Sequence, residues 1–173
     1  MKSIVIYNSQ TGFTKQYAQW ISEDAGCECV PLKEAGKINF ADYEAIVFGS
    51  WILAGSIKNI KWFKKQMMSL SQSGKKLIVF AVGASPAESP EVSAEMEKVF
   101  PEEEKKFVKL FYCPGGLNFD KMNWFSRTMM KMIAKALASK KDATEDDKKK
   151  AEMISHSYDL SDKKYIEPIV AEL

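Results

Sequence analysis

The chain has 173 residues, 25 basic and 23 acidic, with three cysteines and one histidine. That length suits one domain with a substantial core. The near balance of charge gives no sign of a nucleic-acid partner or of a strongly acidic carrier surface. A single histidine removes multi-histidine metal sites and disfavours Cys/His or Ser/His nucleophiles.

Taken in order, the chain opens on the apolar run Ile4-Val5-Ile6-Tyr7, part of a strand over 3–7. A helical pattern carried by Phe13, Tyr17, Trp20 and Ile21 follows, from about Thr11 to Ala25, and Gly26 stops it. Between them lies Ser9-Gln10-Thr11-Gly12-Phe13-Thr14. The free N–H groups of a helix's first turn and the helix dipole favour an anion at such a place. Ser9, Thr11 and Thr14 add hydroxyl donors, and Gly12 lets the backbone turn tightly. The stretch therefore reads either as a phosphate loop or as a simple helix cap supplied by Ser9 or Thr11. A Walker loop is excluded, because Gly12 is not followed by Lys and then Ser or Thr. A dinucleotide fingerprint is excluded by the single glycine.

A second strand is expected over 27–32, with Cys27 and Cys29 on one face as small buried apolar residues rather than a redox pair. Residues 34–42 connect it to a third strand, Ala45 to Gly49, apolar on both faces as a central parallel strand should be. Ile60, Phe63, Met67 and Leu70 mark the second helix, ending before Gly74. Residues 76–82 form a fourth strand, Val92, Met96 and Val99 mark a third helix, and residues 107–112 form a fifth strand. Such alternation implies parallel crossovers and a doubly wound sheet.

Ligands of such sheets sit beyond the carboxyl ends of the strands, where the winding reverses. The Ser-x-Thr-Gly-x-Thr pattern directly after the first strand resembles the phosphate loop of flavodoxins. The resemblance implies a five-stranded sheet of order 2-1-3-4-5 and an FMN cofactor. Its phosphate would lie in Ser9, Gln10, Thr11, Gly12, Phe13 and Thr14. The rest of the pocket would come from Ser50, Trp51, Ile52, Leu53, Ala54 and Gly55 after the third strand, and from Val82, Gly83 and Ala84 after the fourth. Trp51 is placed either to shield the flat isoalloxazine or to pack over the next helix against Trp62. Gly49, Gly55 and Gly83 would permit close backbone approach to the ring.

An insertion at about 113–142 departs from a plain flavodoxin. The stretch from Lys121 to Lys141 holds Lys121, Arg127, Lys131, Lys135, Lys140 and Lys141 and no acid. On a helix, Arg127, Lys131 and Lys135 share one face, while Met122, Phe125, Met129, Met132, Ile133 and Ala136 share another. Three readings stay open: a lid on the core with solvated lysines, a surface for anionic membrane, or a wall for a large apolar substrate. Gly115-Gly116-Leu117-Asn118-Phe119 and Asn123 to Ile133, together with the Gly49–Gly55 loop, resemble the flavodoxin-like protoporphyrinogen oxidases. That resemblance implies an FMN oxidoreductase passing electrons from a porphyrinogen-like reductant to quinone; the phosphate loop itself is of flavodoxin type. A soluble electron carrier, with a redox protein as partner, is the alternative. With no apolar run long enough for a bilayer and no signal pattern at the start, a cytoplasmic protein is expected, with the basic helix a candidate for attachment to the inner membrane face. Residues 142–150 read as a solvated charge run, and residues 161–173 as a closing helix that Pro168 shortens or kinks.

Overall fold

A computed structural model describes residues 1–173. Strand β1 (Ser3–Asn8) leads into helix α1 (Phe13–Ala25) and strand β2 (Glu28–Pro31). Two 3₁₀ turns, Leu32–Lys37 and Phe40–Asp42, cross to β3 (Ala45–Leu53), which folds back as the two-residue β4 (Ser56–Ile57). Helix α2 (Ile60–Gln72), strand β5 (Lys76–Gly83), helix α3 (Pro90–Glu97), the single turn α4 (Glu102–Lys105) and strand β6 (Lys109–Pro114) complete the alternation. The parallel strands lie in the order β2-β1-β3-β5-β6, as the flavodoxin-like reading requires, with β4 pairing antiparallel to β3.

The period-2 alternation of the strands divides the core between the two faces of the sheet. Ile4, Ile6, Ile46, Phe48, Leu77 and Val79 point to one face and meet Phe63, Met67 and Leu70 of α2. Phe48 stacks on Phe63 with ring centroids 5.5 Å apart and also meets Trp62 at 5.7 Å. Such pairs contribute about 0.5–1.5 kcal/mol beyond burial. Val5, Val47, Ile78 and Phe80 point to the other face, against Tyr17, Ala18 and Ile21 of α1 and against Ile166 and Ile169 of the C-terminal segment. Tyr17 ties that segment down: its hydroxyl donates to the Pro114 carbonyl at 2.6 Å and accepts from the Asp162 N–H at 3.1 Å.

After β6 come β7 (Gly116–Leu117), α5 (Trp124–Ala138), α6 (Glu145–Ile154), β8 (Tyr158–Asp159), a 3₁₀ turn over Lys163–Ile166 and the short α7 (Glu167–Val170). Strands β7 and β8 form their own antiparallel pair. Several expectations are refined or corrected here. The charge run at 142–150 is solvated as expected, but from Glu145 on it forms the start of α6: Thr144 and Asp147 form a reciprocal capping box, and Ala151 is buried. The closing helix is reduced to α7, because Pro168 can sit only in a first turn, where no N–H is needed. Cys27 precedes β2 and so shares no strand face with Cys29; Cys27, Cys29 and Cys113 are all free. Burial pushes the Cys29 thiol up to about 11, so it is an inert thiol. No helix is long and apolar enough to cross a membrane.

Candidate functional site

The carboxyl ends of β1, β3 and β5 meet at the crevice where the sheet's winding reverses. At its base the β1–α1 loop leaves the N–H donors of a helix start uncapped. Gly12 is the N-cap of α1 at φ 108°, and no side chain caps the helix. The expected cap by Ser9 or Thr11 is thus absent; Ser9 Oγ instead accepts the Gly12 N–H at 3.2 Å and tightens the loop. The first intrahelical bond is Gln16 N–H to Gly12 O. The N–H groups of Phe13, Thr14 and Lys15 are left open toward the crevice, the orphan donors of a helix start. Thr14 is 1 % exposed and turns toward the crevice beside them.

Two concavities share this loop. One, of about 440 Å³, is polar and is lined by Ser9 to Gly12 together with Lys15, Lys33 and Lys121. The other, of about 380 Å³, is largely apolar and takes Gln10, Thr11, Phe13 and Thr14 into its wall. Trp51, Ile52, Leu53, Ala54 and Gly55 form a second side of it, and Val82, Gly83 and Ala84 a third. Of the pocket residues the sequence singles out, Gly49 and Ser50 line neither space. Ser50 is fully buried, and its hydroxyl accepts from Asn8 Nδ2 at 3.0 Å.

The segment read as a loop, 50–55, is instead the end of β3 and a hairpin turn. Ile52 pairs with Ile57 and Leu53 with Ser56, leaving Ala54 and Gly55 as a two-residue turn at φ 49° and 71°. Positive φ at both positions matches the twist of the flanking strands. Trp51 is half-buried in the cavity wall with the Lys58 ammonium 5.6 Å from its ring centre. Trp62 packs on Phe40 and Phe48, so the alternative pairing of Trp51 with Trp62 is not formed.

Two of the three glycines serve protein packing rather than ligand approach. A Cβ at Gly49 would overlap the Phe80 ring, and one at Gly83 would overlap Tyr112. Gly55 alone faces the cavity with room beside it, near the Glu95 carboxylate. The loop after β5 is held by two tyrosines: Tyr112 donates to the Ser85 carbonyl at 2.7 Å and Tyr158 to the Ala84 carbonyl at 2.8 Å. Burial raises both phenols, Tyr158 to about 12, so they remain neutral donors. The N–H groups of Ala84 and Ser85 have no backbone acceptor and are free for a ligand.

Of the three readings left open for the insertion, the wall of an apolar site matches the roof; the contribution of α6 is the part the sequence did not offer. Met122, Met129, Met130, Ile133 and Leu137 from α5, with Met153 and Ile154 from α6, close the apolar cavity from above. The roof is pinned on one side by Gln10 and Ser126, 3.4 Å apart, and on the other by the Lys150–Glu91 ion pair at 2.5 Å. The methionine spacing carried part of this signal. The lysines at the phosphate loop carried none, since only the folded insertion brings Lys121 there.

A doubly wound sheet with an uncapped strand-to-helix loop and an apolar cleft at its reversal point defines a ligand-binding α/β domain of mononucleotide type. The chain belongs to the flavodoxin family: its residues 4–144 match the flavodoxin domain. No curated protein matches it. Among solved structures it is similar to the Trp repressor binding protein from Bacillus subtilis, at 19% identity and TM-score 0.50, over 68% of this chain and 85% of that one. It also resembles an FMN-complexed flavoprotein from Lactobacillus acidophilus, at 14% identity and TM-score 0.45 over 65% and 91%. Oxidised flavodoxin 1 from Bacillus cereus gives 14% identity and TM-score 0.46 over 70% and 89%.

Proposed function

We propose that the protein is an FMN-dependent oxidoreductase whose roofed cavity takes a flat apolar partner, with a quinone as electron acceptor. The observation that carries this reading is the junction of an open anion loop with an apolar cleft. The three first-turn N–H groups and the Thr11 and Thr14 hydroxyls suit a phosphate dianion. Trp51 and the hairpin wall suit the isoalloxazine, and the Ala84 and Ser85 N–H groups suit its polar edge. Family membership supports the same cofactor. Bound there, FMN supplies the hydride and single-electron chemistry; the chain's residues orient it and exclude water.

The roof favours a small acceptor over a protein. A plain carrier must show its flavin edge to a docking partner, whereas here α5 and α6 cover the cavity. A volume of about 380 Å³ is near the lower end for drug-sized ligands. It accommodates the flavin ring and a flat quinone at its mouth better than a porphyrinogen, which would need the roof to move. We also propose that the outer face of α5 meets an anionic membrane, the source of an apolar quinone. Trp124 is 79% exposed, Phe125 62% and Met132 67%, flanked by the exposed Lys131 and Lys135. Large amphipathic rings and lysines side by side suit a headgroup layer.

The test is anaerobic. FMN-loaded protein reduced with dithionite is mixed with a water-soluble quinone or with an oxidised haem protein, and flavin absorbance is followed. Saturable reoxidation by quinone and slow reoxidation by the haem protein support the oxidoreductase. The opposite order establishes the alternative, a flavodoxin-type electron carrier.

A further inference from the structure

The insertion does more than roof the apolar cavity. Just before α5 the chain makes a turn over residues 118–121. The Lys121 N–H donates to the Asn118 carbonyl and to Asn118 Oδ1, both at 3.2 Å. The Phe119 N–H donates to Ser157 Oγ at 3.0 Å. Arg127 reaches back from α5 and donates to the carbonyls of Phe119 and Asp120. This corrects the expected stripe of Arg127, Lys131 and Lys135: Arg127 is half-buried and spent on the turn, and only the two lysines stay exposed.

The turn aims Lys121 at the phosphate loop. Its Nζ lies 3.8 Å from the point a Cβ on Gly12 would occupy. Lys15 and Lys33 line the same concavity, and no carboxylate does. None of these three lysines takes part in an ion pair. Unpaired ammonium groups converging on open N–H donors create a field for an anion of more than one charge. Thr14, 1 % exposed and turned into the adjoining cavity, points to a ligand at the same loop. Gly12 is required by its φ of 108°, which strains any other residue, and its hypothetical Cβ would meet only Lys121 Nζ, at ordinary contact distance.

We propose that Lys121 is the cationic wall of the phosphate site, so that the insertion itself recognises the phosphate of the flavin nucleotide. This rests on the FMN reading above and adds a residue outside the β1–α1 loop to it. Docking of the insertion and occupancy of the phosphate site are then coupled. The phosphate pulls the 118–127 segment onto the loop, and a flavin without phosphate leaves it looser.

The experiment titrates the full chain, Lys121→Gln and Lys121→Arg with FMN and with riboflavin at low and at high salt, and measures amide exchange over 118–127 with each ligand. Lys121→Gln should weaken FMN about fivefold to tenfold, leave riboflavin unchanged and flatten the salt dependence. Lys121→Arg should keep FMN affinity. FMN should protect 118–127 more than riboflavin does. FMN affinity equal to that of the parent, or equal losses for FMN and riboflavin, would overturn the assignment while leaving the cofactor reading intact. A parent chain that binds FMN no tighter than riboflavin would overturn both.

Discussion

The sheet and the roof are built on opposite principles. Strands β3 and β5 place Ile46, Val47, Phe48, Ile78, Val79 and Phe80 at 0 or 1 % exposure between two helical layers. Their apolar side chains are used up in packing. Helix α5 buries only Ser126 and Ala134, both small, while its large apolar residues line a cavity or face outward. Its apolar surface is therefore reserved for something other than the core. The scaffold supplies stability; under the proposed function, the roof supplies selectivity.

The largest effect should come from cutting the scaffold. Phe80→Ala removes a ring with no exposure that also fills the space above Gly49. It should cost about 3–5 kcal/mol in equilibrium urea unfolding, whereas Ile133→Ala in the roof should cost about 1 kcal/mol or less. Equal losses would merge the two regions into one core. Next comes the anion loop. Thr11→Ala with Thr14→Ala removes two hydroxyl donors to a dianion, each worth about 1.5–3 kcal/mol. FMN affinity by fluorescence titration should fall by about 100-fold or more, with the unfolding midpoint of the ligand-free protein little changed.

The outer face of α5 is tested by vesicle sedimentation. Lys131→Gln with Lys135→Gln should weaken binding to anionic vesicles by about 2 kcal/mol, at about 1 kcal/mol per charge, and salt should do the same. Binding unaffected by both changes would make these lysines ordinary solvated residues. The smallest effect concerns the latch between α3 and α6. The hydrogen bond from Lys150 holds the Glu91 carboxyl below its usual range. A depressed carboxyl pKa stabilises the folded state above the unfolded value of 4.5 and loses that contribution as pH falls through the folded value. Amide exchange in α6 should therefore rise as pH drops below 4.5 once intrinsic exchange is corrected for. The change should stay within about 1 kcal/mol, since both groups are partly solvated. Lys150→Gln should abolish it.

The scaffold was legible because continuous apolar strands and 3.6-residue spacing are local signals that tertiary packing reinforces. These signals place the alternating strands and helices and the β1–α1 loop between them; the strand order came with the flavodoxin resemblance, and β3 runs on through Trp51 to Leu53. The roof was less legible. Helix α6 hides in a charge run, because its apolar residues Ala151, Met153 and Ile154 come only at its end; the Thr144–Asp147 box was its one readable mark. The pairing of β7 with β8 joins two-residue strands some forty positions apart and leaves no period to detect. Arg127 shows the limit most clearly. Helical spacing places it beside Lys131, but its fate depends on two carbonyls that fold back from residues 119 and 120.

The central claim is that the β1–α1 loop binds the phosphate of a flavin nucleotide. Parallel titration of ligand-free protein with FMN and with riboflavin, read by quenching of flavin fluorescence, tests it most directly. At least two charge-assisted hydrogen bonds at the low end of their range contribute about 3 kcal/mol, so FMN should bind at least about 100-fold more tightly. Equal affinities for the two flavins would contradict the claim.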